Sequence, residues 1–306
     1  MPDSKIKVLY IAGFERSGST IVNRVLGQVD GFIAWGELRD IWEHGIIENR
    51  GCTCGALFRE CTSWTKVLDK AFGGINKVDA NQMLSLLRKN RAMVLPHYFR
   101  IAKKDFFKTN SNQYLKSLES LYQAIQTTTN CKVIVDSTKA SWYGYVLGLL
   151  PTIDLYVVHI VRDPRGVCYS LQQHKVKGEP QCQWYNPLHA SLSWNLKNSL
   201  VEMLLNRSSK RYLRINYEDF VHNPKLALES ILNLLQEKIA ELPFKDDSTV
   251  NMEVDHIFAG SPSSRSQTGA VKLRLDERWK KEMNQIDKVM VKSLTLPLLQ
   301  RYGYFT

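Results

Sequence analysis

The stretch from Val8 to Leu26 constrains the fold more than any other part of the chain. It begins with the apolar run Val8-Leu-Tyr-Ile-Ala, continues through a short loop with two glycines, and ends in an amphipathic run. An apolar run bounded by a turn is typical of a buried strand, and the amphipathic run after it indicates a helix. Backbone N–H groups at the start of such a helix form an anion-binding site. The stretch therefore predicts a strand, an anion-binding loop and a helix.

The loop Gly13-Phe-Glu-Arg-Ser-Gly-Ser-Thr20 fits the phosphate-binding spacing G-x-x-x-x-G-K-[ST] at every position except the lysine. Ser19 stands where a nucleotide triphosphatase has the lysine that reaches the β- and γ-phosphates, and the loop carries its cation earlier, at Arg16. We therefore expect an anionic ligand without a γ-phosphate. A plain connecting loop, with glycine used for turn geometry, is the alternative. The strand and helix on either side favour anion binding.

Short apolar runs rich in β-branched residues recur along the chain, with helical patterns between them. The five predicted strands are Lys7–Ala12, Phe32–Trp35, Lys132–Asp136, Leu155–Val161 and Arg211–Asn216. Strands that alternate with helices predict an α/β fold with a doubly wound parallel sheet, here in a single domain over residues 1–306. Residues 65–129 are predicted to be a helical insert between the second and third strands, and a last helix is predicted over about 276–296.

A row of leucines at i, i+4 spacing marks one predicted helix. The row consists of Leu188, Leu192, Leu196, Leu200 and Leu204. Because a leucine stripe on a helix usually packs against the interior, we expect this row in the core rather than at a ligand site.

The net charge of +11, from 41 Lys+Arg against 30 Asp+Glu, suits an anionic ligand, a nucleic acid or an anionic membrane surface. No arginine-rich tail and no basic run interleaved with aromatic residues occurs, so a nucleic-acid partner is not predicted. The chain also has no secretory apolar segment near its start and no run of about 18 apolar residues. We therefore expect a soluble cytoplasmic protein without a membrane partner.

Three of the six cysteines, Cys52, Cys54 and Cys61, lie close together in sequence. Six cysteines in 306 residues do not make a disulfide scaffold. A zinc site needs a fourth ligand, and only His44 lies near in sequence. The expectation is a local structural loop or one optional disulfide, and no metal.

Polar side chains follow every predicted strand, at the edge of a parallel sheet where ligands bind. The segments are Arg16 to Thr20, Trp35-Gly-Glu37-Leu-Arg39, Asp136-Ser-Thr-Lys139, Val161-Arg162-Asp-Pro-Arg165-Gly-Val-Cys-Tyr-Ser170 and Asn216-Tyr217. Together they resemble the sulfotransferases that use 3′-phosphoadenosine 5′-phosphosulfate (PAPS). The resemblance extends from Val8 to the segment Leu273-Arg-Leu-Asp-Glu-Arg-Trp279, and its two main motifs are residues 13–20 and 161–170.

The resemblance implies a role for each of these residues. Arg162 and Ser170 would hold the 3′-phosphate, since a guanidinium and a hydroxyl at a helix start suit a phosphate monoester. Arg16 and Lys139 would neutralise charge on the leaving phosphosulfate bridge. A solvated turn for Arg162 and a surface position for Lys139 are the plain alternatives. The other implied cofactor-binding residues are Ser17, Gly18, Ser19, Thr20, Tyr217, and Arg265, Lys272 and Arg274 of a cofactor-closing loop region, residues 241–275.

Glu37 is predicted to be the general base. The cytosolic steroid and phenol sulfotransferases place a lysine and then a histidine at the third strand, whereas this chain has Lys139-Ala-Ser there and no histidine. Glu37 matches the glutamate base of the tyrosylprotein and related carbohydrate-type enzymes, and Lys139 matches the lysine after the third strand of the tyrosylprotein enzymes. A glutamate placed at a helix start by the helix dipole is the alternative. The base would then be His44 or His174.

The implied activity is transfer of the sulfuryl group of PAPS to a hydroxyl or amine of a small molecule, such as a natural product. Two alternatives remain open. One is a phosphate-loop kinase, against which the serine at position 19 counts and for which Asp136 is the candidate Mg²⁺ ligand. The other is a nucleotide- or protein-binding module without catalysis. The insert at 65–129 and the loop at 175–187 are expected to shape the acceptor pocket.

Overall fold

The computed structural model of this chain describes residues 5–101, 104–108, 112–176, 186–206, 211–239, 241–260, 265 and 267–304. Five parallel strands form its main sheet, in the order β2-β3-β1-β4-β5. They are β1 (Ile6–Gly13), β2 (Phe32–Ala34), β3 (Val133–Lys139), β4 (Ile153–Val161) and β5 (Tyr212–Asn216). The predicted α/β fold is confirmed, and each predicted strand is present with its ends displaced by a few residues at most.

Helices cover both faces of this sheet. They are α1 (Ser19–Leu26), α2 (Thr62–Phe72), α3 (Ala80–Tyr98), α4 (Gln113–Thr129), α5 (Ser141–Leu147), α6 (Pro164–Val176), α7 (Pro187–Leu205), α8 (Tyr217–His222), α9 (Pro224–Leu235), α10 (Trp279–Glu282) and α11 (Gln285–Arg301). The predicted insert between the second and third strands contains α2, α3 and α4. The predicted last helix is divided into α10 and α11, because Asn284 caps α11 by accepting a hydrogen bond from the N–H of Ile286 at 2.8 Å.

The central strand β1 is buried on both faces, as expected for a parallel strand covered by helices. Tyr10 faces one core, which includes Trp42, Trp64 and Tyr122. Leu9 and Ile11 face the other core, which α1 and α9 cover. The sheet grows on one side of β1 through β2 and β3, and on the other through β4 and β5. The loops after β1 and β4 therefore flank a crevice at the carboxyl edge of the sheet, where the direction of growth changes.

The prediction for the leucine row is wrong for its first three members and correct for the last. Leu188, Leu192 and Leu196 are 41%, 50% and 61% exposed, Leu200 is half-buried, and Leu204 lies in the core. Helix α7 instead buries the neighbouring row that contains Trp194 and Asn198. Oδ1 of Asn198 accepts a hydrogen bond from Nε2 of the buried His159, 2.9 Å away, so a polar contact in the interior fixes the rotation of the helix.

The late segment also differs from the prediction. Residues 241–275 contain a small antiparallel sheet of β6 (Thr249–Met252) and β7 (Gly269–Lys272), where the sequence predicts a loop. Val250 and Met252 of β6 are buried in the core next to α1. Within the described part of the chain, no helix is both long and apolar enough to cross a membrane.

Candidate active site at the carboxyl edge of the sheet

The loop after β1 is shaped by backbone conformations that few residues adopt. Arg16 and Gly18 have φ of 64° and 86°, in the left-handed region. A Cβ at position 18 would lie 2.2 Å from the Tyr217 ring, so only glycine permits this contact. Helix α1 then begins at Ser19 with no side-chain cap and no acidic residue in its first turn. Its first N–H groups and its dipole are therefore available to an anion.

Ser17 in this loop is 1% exposed, and its hydroxyl has no hydrogen-bond partner among the described residues. Buried polar groups are rarely left unpaired in folded proteins, and an ion or water often explains those that are. The hydroxyl of Ser17 and the start of α1 together fit an anion bound in this loop.

Arg16 of this loop and Arg162, which follows β4, lie close together. Arg16 donates from Nε to the hydroxyl of Ser170 on α6 at 3.1 Å. Arg162, at the end of β4, donates from Nη1 to the carbonyl of Arg16 at 3.0 Å and from Nη2 to that of Asp276 at 3.3 Å. The guanidinium of Arg162 also lies over the Tyr217 ring, 5.0 Å from its centroid. We call Arg16, Arg162, Ser170 and Tyr217, with the loop 13–18, the phosphate side of the site.

Glu37 and Lys139 form a buried ion pair at the ends of β2 and β3. Nζ of Lys139 donates to Oε1 of Glu37 and also lies 3.4 Å from the carbonyl of Ser137. Glu37 is 9% exposed. Burial raises the pKa of Glu37 above its usual range, and the nearby Lys139 only partly opposes this effect. A carboxylate with a raised pKa accepts a proton more readily than a glutamate on the surface. We call Glu37, Lys139 and the neighbouring Arg39 and Asp40 the carboxylate side.

The backbone at Lys139 is left-handed, with φ of 68°. This conformation costs a residue other than glycine about 1–2 kcal/mol. Arg16 has the same left-handed backbone conformation. Each side of the site therefore holds one cationic residue, Arg16 or Lys139, in a strained conformation. Strain of this kind is concentrated at functional sites in proteins.

Asp136 fixes the geometry of the carboxylate side. It is fully buried and accepts hydrogen bonds from the hydroxyls of Tyr122 at 2.5 Å and Thr138 at 2.6 Å. It also accepts from the N–H of Leu38 at 3.4 Å and so connects the segment after β2 to the end of β3. Both carboxylate oxygens are engaged, which leaves Asp136 a poor candidate for the Mg²⁺ ligand of a kinase.

Residues 9–241 match the sequence model of the sulfotransferase family. The chain belongs to this family. Among solved structures, it is similar to the sulfotransferase domain from the curacin biosynthetic pathway, with 17% identity, a TM-score of 0.55, and coverage of 98% of this chain and 99% of that one. It is also similar to the sulfotransferase domain of the Synechococcus PCC 7002 olefin synthase, with 16% identity, a TM-score of 0.55, and coverage of 100% and 98%. No curated protein sequence gives a significant match.

A single cavity of about 1050 Å³ joins the two sides of the candidate site. It brings together every residue that the sequence assigned to catalysis or cofactor binding except Ser17, which is buried within the loop. Those lining the cavity are Arg16, Gly18, Ser19, Thr20, Glu37, Lys139, Arg162, Ser170, Tyr217, Arg265, Lys272 and Arg274. Their individual roles remain predictions.

The late segment reaches both sides of the cavity. A Cβ at Gly260, whose φ is 111°, would lie 3.2 Å from Oγ1 of Thr20 and 3.6 Å from Oε1 of Glu37. Arg265 is half-buried, and burial lowers its pKa. Lys272 and Arg274 are exposed at the cavity mouth.

Sequence reasoning missed several residues of the cavity wall. They are Asp40, Arg50, Arg91, Trp142, Leu196, Lys197 and Leu200, together with Arg39, which the motif contained but to which no role was assigned. Leu196 and Leu200 belong to the leucine row, so the exposed face of α7 faces the cavity over part of its length. The spacing of that row is visible in the sequence. Which face of the helix is buried, however, depends on how Trp194 and Asn198 pack.

The structure describes the side chain of one of the two alternative bases, His44, and not that of the other, His174. His44 lines the cavity, and its Nδ1 lies 3.1 Å from Oε2 of Glu48. The side chain of His174 lies outside the described part of the structure, as does most of the loop at 175–187.

Proposed function

We propose that this sulfotransferase transfers the sulfuryl group of PAPS to a hydroxyl or amine of a small-molecule acceptor and releases adenosine 3′,5′-bisphosphate. The observation that supports this best is one cavity that contains two arginines, Arg16 and Arg162, and a buried carboxylate–ammonium pair, Glu37 and Lys139. Sulfuryl transfer needs cations around the moving group and a base for the acceptor's proton.

The phosphate side fits the anionic groups of PAPS. The start of α1 would bind the 5′-phosphosulfate, because it offers backbone donors and a positive dipole. The buried hydroxyl of Ser17 would take part only if the anion enters the loop beyond the present cavity. Arg162 and Ser170 would bind the 3′-phosphate, for which the planar fork of arginine is suited. Lys272 and Arg274 at the cavity mouth would add positive charge from the late segment.

Bound PAPS would supply an activated sulfuryl group on a phosphate leaving group. Glu37 accepts the acceptor's proton while the acceptor atom bonds to sulfur and the S–O bond to phosphate breaks, leaving its electron pair on the phosphate oxygen. Arg16 and Lys139 stabilise the charge that develops on that oxygen. Protonation of Glu37 also removes the negative partner of Lys139, so the ammonium charge becomes available as the leaving group becomes negative.

The acceptor would lie against the carboxylate side and α7. The wall there combines the apolar side chains of Trp142, Leu196 and Leu200 with the charged Arg39 and Arg91. This mixture suits a partly polar metabolite. Sulfotransferase domains of similar fold come from the curacin pathway and an olefin synthase, which supports a natural-product type of acceptor.

The direct test is transfer of labelled sulfate. The purified chain is incubated with ³⁵S-labelled PAPS and pools of metabolites with hydroxyl or amine groups, without added Mg²⁺, and products are identified by mass spectrometry. Labelled acceptor together with adenosine 3′,5′-bisphosphate is the expected result. A parallel reaction with ATP and Mg²⁺ in place of PAPS tests the kinase alternative, which Mg²⁺-dependent phosphoryl transfer would establish. Cofactor binding without transfer to any acceptor in the pools would favour the non-catalytic alternative.

The cofactor assignment has its own test in ligand-dependent melting. Adenosine 3′,5′-bisphosphate should raise the melting temperature strongly without Mg²⁺, since a ligand at 100 times its Kd stabilises the native state by about 2.7 kcal/mol. 5′-AMP should act much more weakly, because it lacks the 3′-phosphate for Arg162 and Ser170. Equal shifts with both nucleotides would contradict the 3′-phosphate assignment.

A further inference from the structure

Three cysteines and one histidine meet outside the active-site cavity. Cys52, Cys54 and Cys61 lie on the segment before α2. His256 belongs to the late segment, about 200 residues further along the chain than these cysteines. Their ligand atoms all lie within 4.8 Å of one another. Cys52 and Cys61 are buried, and Cys54 and His256 are half-buried.

The distances within this cluster match a tetrahedral metal site. Sγ of Cys54 and Cys61 are 3.7 Å apart, and Nδ1 of His256 lies 3.3 Å from Sγ of Cys61 and 3.9 Å from Sγ of Cys52. A zinc ion with bonds of about 2.3 Å to sulfur and 2.0–2.1 Å to nitrogen separates its tetrahedral ligand atoms by about 3.5–3.8 Å. The four side chains therefore need only small movements to bind one ion.

The surroundings orient the ligands. Nε2 of His256 lies 2.9 Å from the hydroxyl of Ser63, so Nε2 can carry the proton and Nδ1 can face a metal. The indole N–H of Trp64 donates to the carbonyl of His256 at 2.8 Å and holds the histidine backbone.

We propose that Cys52, Cys54, Cys61 and His256 bind one structural Zn²⁺ ion. Four protein ligands complete the tetrahedron and leave no open position for a substrate, as in structural rather than catalytic zinc sites. Binding releases the three thiol protons and leaves the imidazole neutral. This site goes beyond the proposed sulfuryl transfer and does not depend on it.

The ion would connect two segments that build the cavity. Thr53 already donates from its N–H to the carbonyl of Ile257 at 2.9 Å and from its hydroxyl to that of Asp255 at 2.8 Å. Phe258 and Gly260, just beyond His256, line the cavity, and Gly260 packs against Thr20 and Glu37. Zinc at this position fixes the start of the late segment against the rest of the active site.

The first test measures metal in the full chain purified under reducing conditions without chelators. Elemental analysis and native mass spectrometry should give one zinc per chain. Replacement by Co²⁺ should give the intense absorption bands of a tetrahedral thiolate site. A chain that takes up no metal when incubated with excess Zn²⁺ under reducing conditions would overturn the proposal. So would a protein two hydrogens lighter, with a peptide map that joins Cys54 to Cys61.

Matched variants separate this cluster from other cysteines. Cys61→Ser and His256→Ala should lose the ion, and Cys131→Ser should keep it, since Cys131 is a buried cysteine outside the cluster. Removal of zinc from the wild-type chain by a chelator should lower its melting temperature, and Zn²⁺ but not Mg²⁺ should restore it. Full zinc content in both cluster variants would contradict the ligand assignment, and the wild-type measurement stands if either variant fails to fold.

Discussion

The phosphate side and the carboxylate side of the cavity use their cations differently. On the phosphate side, Arg162 donates to two backbone carbonyls, those of Arg16 and Asp276. On the carboxylate side, Lys139 donates to Glu37, and Arg39 donates to Asp40 at 2.7 Å. Backbone carbonyls orient a guanidinium without neutralising it, whereas a carboxylate compensates a nearby cation. Under the proposed function, one side would attract an anion and the other would hold or move a proton.

Arg16→Ala should have the largest effect, because it removes the cation of the anion-binding loop itself. We expect kcat to fall by about 10³-fold or more, the size typical of an arginine that stabilises a transferring group. The melting temperature should stay near that of the wild type. Steady-state kinetics with PAPS make the measurement.

Arg88→Ala is the matched control, since Arg88 lies on α3 and outside the cavity. It should leave kcat unchanged. If Arg16→Ala kept most of its turnover, the phosphate side would bind the nucleotide without contributing to transfer.

Glu37→Gln should cost about 100-fold or more in kcat, the usual contribution of a general base. Glutamine keeps the shape and can still contact Lys139, but it cannot accept the acceptor's proton. Binding of adenosine 3′,5′-bisphosphate, measured by calorimetry, should change little, because Glu37 belongs to the other side of the cavity. Wild-type turnover in this variant would redirect the search for the base to His44 or His174.

Arg162→Ala should act on binding more than on turnover. Loss of a charged hydrogen bond costs about 1.5–3 kcal/mol, so KM for PAPS should rise by about 10- to 100-fold while kcat changes less. If instead Arg162→Ala lowered kcat and Arg16→Ala raised KM, the division of labour between the two arginines would be the reverse of the one proposed.

The sequence predicted that Arg16 and Arg162 lie close together, and for a physical reason. The two residues follow the ends of β1 and β4 by one to three positions, and a parallel sheet brings such ends together. Their position could therefore be predicted from local motifs, and their roles remain predictions. Glu37 and Lys139 follow the same rule at the ends of β2 and β3. The sequence placed Lys139 beyond its strand, whereas it is the last residue of β3 with a left-handed backbone.

Other parts of the molecule could not be predicted in this way. Whether the leucine row faces the core or the solvent depends on how Trp194 and Asn198 pack. The pairing of β6 with β7 depends on contacts of β6 with the core next to α1. His256 joins the three cysteines from a distant segment. A search for a fourth ligand close in sequence reached only His44, because spacing along the chain carries no signal for such a contact.

The pH dependence of kcat should show the smallest effect and examines the carboxylate side alone. Burial and the nearby Asp40 raise the pKa of Glu37, and Lys139 and Arg39 lower it. Because only the ionised carboxylate accepts a proton, turnover should fall as the pH falls through this raised pKa. The acid limb of the wild-type profile should therefore lie above the ordinary range for a glutamate.

Asp40→Asn should move this limb to lower pH, because it removes a like charge and releases Arg39 from its carboxylate partner. Asparagine still accepts a hydrogen bond, so kcat on the plateau should change little. The control is Asp30→Asn, since the Asp30 side chain is 90% exposed and lies outside the cavity. It should leave the limb in place. Loss of a negative neighbour can only favour the ionised form of Glu37, so a limb that moved to higher pH in Asp40→Asn would show that another group titrates. A limb that persisted in Glu37→Gln would show the same.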